Sequence, residues 1–592
     1  MIYLIAIFVY LLLLTGISIY KSRQVKTQTD FTLAGRSLSP WVMVCTMLAV
    51  WIGTGSIVGN AGQAYRDGMA ALILPLGTFI GMILLSQIAG KARRFEAYTV
   101  PEIIGTRFNR TARLLAVIAL ILAYMVIVSY QFNAGGMVLE VIVGKKTPVA
   151  IKTGDTFSRH QIKKGYLVFT PAEHCKGSVE ISFNAKEGDG WSNDVKTFNI
   201  DVLAARDVRD AESRIKKDDK NHIVIKAGGT ARVIISGDAE SYRIASLPEA
   251  ERGGLILSEP KLTAGNATII AAVFVIAYTM LAGLMSLAFT DIVTGIIITV
   301  SLLVAFPVLL YQAGGFSGME TAFANMGDRD QHMQFWGVYS GTKYINYLLP
   351  VFLLIMGDAN QYQRIFASRN AKGAKTAVTM LIFVALAVEL LIIACAWVSS
   401  SMIPDPENGR YVLIYAARHF MPLALGVVFM VTVVGIIIST ADAFLLVPAT
   451  TFIKDVYLNH INPKASEKKI VFLSRMMVLA FGIIAYLISL AFAESTTVFQ
   501  KALYAYTIYG AAITPCLVAA LFWKRATSWG AVASIVSGIV VTLAWEELTF
   551  IKGSLPDYIS GLDAVLPAIT ISVLALVVVS LLTPKPKIAP ED

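Results

Sequence analysis

Ser439, Thr440 and Asp442 stand inside an apolar run, Gly426 to Tyr457, that is long enough to cross a bilayer. Lipid offers such groups no water, so another part of the protein must face them. Ser439 and Asp442 are three residues apart and share a helix face, with Thr440 beside them. That face presents hydroxyl and carboxylate oxygen only, a donor set suited to small hard cations. Two readings follow. The hydroxyls can bond back to carbonyls of the preceding turn, as membrane helices allow, or the face can hold an ion, and the buried acid Asp442 favours the second.

In LAVWIGTGSIVGNAGQAYRDG (48–68), Gly53, Gly55, Gly59 and Gly62 fall within one apolar span. Each glycine costs about 1 kcal/mol relative to alanine in a helix interior. Four of them invite either close helix packing or a break that frees the carbonyls of Ala49 and Ile52 to coordinate a cation. Gly357 and Asp358 interrupt a later span, and paired interruptions in two halves point to an inverted-repeat transporter. Gln131 and Glu389 are polar residues within apolar spans. Gln131 has an ordinary use as a bond between helices, whereas an ionisable residue at that depth marks a site.

The elements that must position these residues are membrane helices. Hydrophobic residues make up 56% of the 592-residue chain and mean hydropathy is +0.65, against about 45–50% apolar residues in soluble proteins. Apolar spans fall near 2–20, 41–65, 69–90, 112–143, 267–287, 291–313, 342–363, 376–402, 422–450, 473–493, 498–523, 528–545 and 564–582. The first has no positive residue before it and is followed by Lys21, Arg23 and Lys26, which predicts an uncleaved helix with its N-terminus outside. Thirteen crossings then put the C-terminus in the cytoplasm. Loops assigned to the inside are rich in bases, among them Lys91, Arg93, Arg94, Arg364, Arg369, Lys372 and Lys375. By the same assignment no Lys or Arg lies in the middle of a core span.

Residues 145–262 are dense in both signs of charge and hold no run long enough to cross. The chain therefore divides into helices over 1–144, an inserted soluble domain over 145–262, and helices over 263–592. Alternating runs at 165–169, 178–184, 196–202, 222–227 and 231–236 predict a β-sandwich-like insert outside the cell. The stretch 165–202 resembles cadherin-like modules of bacterial surface proteins, and 205–221 reads as a charged linker or short helix.

Several classes drop out. The formal charge of +10 follows from the bases of the inner loops, so no nucleic-acid partner is expected. Cys45, Cys395 and Cys516 lie in apolar helices with Cys175 alone in the insert, which makes no disulfide framework or metal spacing. There is no GxxxxGK[ST] phosphate loop, and His160, His174 and His222 stand without nucleophile or metal spacing, so an enzyme has no support.

FTLAGRSLSP (31–40), the Gly-rich second span, YTVPEIIGTRFN (98–109), GLMSLAFTDIVTG (283–295), NQYQRIFAS (360–368), STADAFLLVPATTFIKDVY (439–457) and LFWKRATSWGAV (521–532) resemble, in order and spacing, the sodium:solute symporter family. Its relatives include sodium-coupled galactose, proline, pantothenate and sialic acid transporters. The resemblance implies an all-α polytopic membrane protein of about thirteen transmembrane helices, with a ten-helix inverted-repeat, LeuT-like core from about 41 to 523. It implies Na+ held by the carbonyls of Ala49, Ile52 and Ile436 and the hydroxyls of Ser439 and Thr440. Such an uncharged set suits a weak, releasable monovalent ion. In some relatives a second ion uses an acid at the position of Asp291 and further hydroxyls. Here Asp291 is kept but Asp442 and Ala443 replace those hydroxyls, so Asp291 and Asp442 would hold a cation or share a proton. Solute contacts are implied at Trp51, Gly53, Ser56, Pro75 and Thr78, to which Gln131 and Glu389 are added from the residues themselves.

The expected function is sodium-coupled symport of a small organic solute, neutral or zwitterionic, into the cell by alternating access. A proton-coupled symporter and a transporter-like membrane sensor are the alternatives. The expected surroundings are the lipid bilayer of the cell membrane and, for the insert, an extra-cytoplasmic partner or glycan.

Overall fold

The computed structural model describes residues 2–146, 148–172, 174–188, 190–204, 221–226, 229–326, 329–404, 409, 411–491, 497–547 and 562–586. Of the two readings open for the glycine-rich second span, the structure shows the break. Helix Pro40–Trp51 ends at Ile52, whose ψ of 93° is extended. A wide turn follows over Gly55–Asn60 and then a short helix over Ala61–Asp67, and the two halves meet at 52°. At the break, a Cβ on Gly53 would lie 2.8 Å from Thr440 Cγ2. Helix Leu423–Thr451 reaches the break because position 53 carries no side chain.

The second interruption also falls as expected. Helix Gly341–Gly357 stops at Asp358, whose ψ of 111° leaves the helical region. The Asp358 carboxylate accepts from Asn360 N–H at 3.2 Å and so caps a new helix, Ala359–Ala367. A third bend lies at Gly283, φ 66°, within Ala264–Gln312. It divides the spans Ala264–Leu281 and Gly283–Gln312, so the break falls inside the span expected at 267–287 and not after it.

Among the described residues ten helices are long and apolar enough to cross a membrane, or eleven with the bent pair counted as one span. Two of the thirteen expected spans fall short of that test. The span placed at 69–90 opens with a tight turn over Gly68–Ile73, becomes a helix only at Pro75, and ends at Lys91, Arg93 and Arg94. The span placed at 342–363 is divided by Asp358, leaving 17 residues before the break.

The insert is built from strands β1 (Val149–Ala150), β2 (Thr156–Ser158), β3 (Leu167–Pro171), β4 (Gly177–Glu187), β5 (Gly190–Leu203), β6 (His222–Lys226), β7 (Ala231–Val233), β8 (Ser241–Ser246) and β9 (Gly253–Leu257). They form two sheets, ordered β1-β9-β3-β7 and β2-β8-β4-β5-β6. β4 and β5 pair antiparallel, whereas β5 and β6 run parallel. Inward residues alternate along β3 and β4 and the second half of β5, so Phe169 and Leu255 from one sheet meet Ile181, Phe183 and Ile200 from the other in a single apolar core. Each of the five expected runs overlaps a strand, while β1, β2, β8 and β9 were not expected. Of the charged stretch 205–221, residues 205–220 lie outside the described residues.

Candidate ion and solute site

The break in the second span meets the hydroxyl face of helix Leu423–Thr451. Thr440 Oγ donates to the carbonyls of Ala49 and Ile52, at 3.4 and 3.3 Å. Both carbonyls are available because the helix ends there. A hydroxyl offers lone pairs as well as its proton. Rotating that proton away would leave three oxygens without formal charge around one point, a set that fits a monovalent cation. Ile436 is buried about a turn earlier on the same helix. Ser439 points elsewhere, donating to Asp291 Oδ1 at 2.5 Å.

Asp291 belongs to a second polar cluster. Its other oxygen accepts from the Thr46 hydroxyl and faces Arg364 Nη2 at 3.8 Å, with both side chains buried. Arg364 also donates from Nε to Thr46 Oγ at 3.3 Å and from Nη1 to the Asn360 carbonyl at 3.4 Å. The assignment of Arg364 to an inner loop is therefore corrected, and with it the expectation that the core holds no cation. The cause is the capped helix Ala359–Ala367, all nine residues of which are buried. Arg364 also feels the charges of Asp442 and Asp358. Asp358 accepts from Tyr124 Oη at 2.5 Å, whereas Asp442 Oδ1 has no hydrogen-bond partner among the described residues.

Trp51, Ser56, Thr78 and Glu389 line one cavity beside the break. Glu389 Oε1 accepts from Trp51 Nε1 at 2.7 Å and from Thr78 Oγ at 3.5 Å. Gly53, Pro75 and Gln131 do not line this cavity. Gly53 is taken up by the approach of Thr440, and Pro75 opens its helix as a buried first-turn residue. Gln131 Oε1 accepts from the Thr54 N–H at 3.3 Å and from the Thr54 hydroxyl, which braces the broken helix. Sequence reasoning missed the aromatic walls Tyr347, Phe499 and Tyr506, and the polar Asn60. The aromatics carry no contrast against an apolar helix, although Asn60, seven residues after Gly53, could have been found by helical spacing.

Two helices interrupted within a membrane bundle, with carbonyls released at one break beside a polar cavity, define a broken-helix membrane transporter fold. The chain belongs to the sodium:solute symporter family, whose model matches residues 31–156 and 255–538. It is 28% identical over 329 residues to the high-affinity proline transporter PutP of Bacillus subtilis, covering 54% of this chain and 65% of that protein. Identity to a sodium/proline symporter of Haemophilus influenzae is 26% over 325 residues, covering 53% and 62%. The chain thus spans less than two thirds of the length of these curated relatives. They are transporters, not enzymes. In fold it is similar to a Na+-coupled sialic acid symporter solved in a substrate-bound outward-open state, with a TM-score of 0.66 and 13% identity, covering 100% of this chain and 99% of that one.

Proposed function

We propose that this chain is a secondary active transporter that couples inward movement of Na+ to uptake of a small organic solute, neutral or zwitterionic, by alternating access across the cell membrane. The observation that carries this reading is the meeting of Thr440 with the carbonyls of Ala49 and Ile52. The full ion set is Ala49, Ile52, Ile436, Ser439 and Thr440, with Ser439 turning from Asp291 when the ion enters. An ion there ties the broken helix to helix Leu423–Thr451. Its departure removes the tie and lets the two faces separate. Ion and solute are linked through the chain itself, because Ile52 faces the ion position while its neighbour Trp51 lines the cavity. One Na+ moving down about 100 mV supplies roughly 2.3 kcal/mol, before its concentration gradient is counted. Thirteen crossings, an outer N-terminus, a cytoplasmic C-terminus and an outer insert complete the proposed topology.

Solute uptake into proteoliposomes tests this. Na+ inside-directed gradients should drive accumulation and K+ gradients should not; equal uptake with either ion would sink the proposal. The unpartnered Asp442 Oδ1 favours one addition. Asp442 and Asp291 take a second cation or a proton during the cycle, which a pH dependence of the Na+-driven rate would register.

A further inference from the structure

Glu389 sits midway along helix Ala371–Ser400 with 3% of its surface exposed, in the wall of the cavity. Trp51 and Thr78 hold one carboxylate oxygen. The other, Oε2, is buried and has no hydrogen-bond partner among the described residues. Two neutral donors orient the group without balancing its charge, and a buried carboxyl is kept ionised only where a counter-charge joins it. No Lys, Arg or His is among the residues that line the cavity. The same cavity has a partly aromatic lining. Trp51, Tyr347, Phe499 and Tyr506 share the lining, and ring faces of this kind attract a desolvated cation. The lining therefore has an acceptor and four aromatic rings but no positively charged side chain of its own.

We infer that the transported solute carries a positively charged amine, which narrows the class proposed above by excluding a neutral solute and widens it by admitting a cationic one beside the zwitterion; the amine seats against Glu389 Oε2 in the cavity. This rests on the reading of the cavity as the solute site. An ammonium bearing N–H groups satisfies both the charge and the lone pairs of Oε2. A quaternary ammonium satisfies the charge and the rings only, so amines with N–H are the better occupants.

The test compares amines with molecules of the same shape that lack the positively charged nitrogen, on the full-length protein in detergent, reading thermal stabilisation in Na+ and in K+. L-proline is paired with tetrahydrofuroate, in which a ring oxygen replaces the amine, and choline with its carbon isostere dimethylbutanol. At least one amine should stabilise the protein in Na+ while its partner does not. Glu389→Gln should weaken that amine by roughly 30-fold or more, as loss of one member of a buried charge pair does, and Glu389→Asp should restore part of it. Stabilisation by Na+ alone reports that each variant is folded. The proposal is overturned if a partner without the positive nitrogen binds as tightly as its amine, if Glu389→Gln binds the amine as wild type does, or if neither amine stabilises a wild-type protein that responds to Na+. A protein that binds amines through Glu389 but shows no response to Na+ would support the inference and count against sodium coupling instead.

Discussion

Arg364 and Glu389 show two ways of keeping acids inside a membrane protein. Around Asp291 the protein supplies the positive charge itself, in a guanidinium buried at the same depth and held by Thr46 and Asn360. Around Glu389 it supplies hydrogen bonds and aromatic rings but, among the described residues that line the cavity, no cation. The first arrangement balances its charge within the fold, although Arg364 Nη2, 3.8 Å from Asp291, makes no hydrogen bond among the described residues. The second is complete only with something that arrives from outside. Buried acids therefore cannot be read as equivalent: what matters is which charge the surrounding helices leave to be provided.

Removing the built-in cation should have the largest effect. Arg364→Ala leaves Asp291 without its ion pair and should cost about 3–5 kcal/mol, the range for breaking a buried pair. Loss of folded protein, scored by monodispersity in detergent and thermal unfolding, is the expected result. Arg364→Lys, which keeps the charge but loses the fork, should fall between. A fully stable alanine variant would remove the contrast with Glu389.

Next comes the oxygen cluster at the break. Ser439→Ala with Thr440→Ala should raise the Na+ concentration for half-maximal uptake by roughly tenfold or more, which is about 1.4 kcal/mol. Unchanged Na+ activation in a folded double variant would mean that the ion binds elsewhere.

Asp442 sharpens the comparison, because it shares the field of Arg364 yet leaves one oxygen unpartnered. Asp442→Asn keeps the size and removes the charge. It should weaken Na+ activation by roughly fivefold, about 1 kcal/mol, or flatten the pH dependence of uptake. Wild-type Na+ affinity, pH profile and ion-to-solute ratio would together place Asp442 with the structural acids.

The smallest effect is expected from the insert. Its apolar core is separate from that of the bundle, and most of it lies outside the family match. Replacing 147–262 by a short Gly/Ser bridge should leave uptake within about twofold, since surface insertions tolerate excision where their ends are exposed. A folded deletion that binds no solute would show that the insert contributes to the site.

Much of this arrangement was legible in the residues. Four glycines left a break after Trp51 open beside close packing, and Gly357 with Asp358 pointed to the second, because both sets of residues conflict with a continuous helix. The hydroxyl of Thr440 was legible for the same reason, as a polar group where lipid forbids one. Glu389 stood out against its apolar span. Arg364 did not, since a base close to Arg369, Lys372 and Lys375 looks like part of an inner loop. Only the cap at Asp358 turns its helix inward. The pairing of Ser439 with Asp291 joins residues 148 positions apart, a contact that no local pattern encodes. Strands β1 and β2 are only two and three residues long, too short for alternation to register.

Trp51 turns the cavity into an optical instrument. Its indole N–H is bonded to Glu389 and its ring forms part of the wall, so a molecule that enters changes both the hydrogen bond and the polarity that the excited indole senses. With the remainder of the eight tryptophans replaced by phenylalanine, the emission of Trp51 would follow occupancy in real time, without a label and without a membrane gradient.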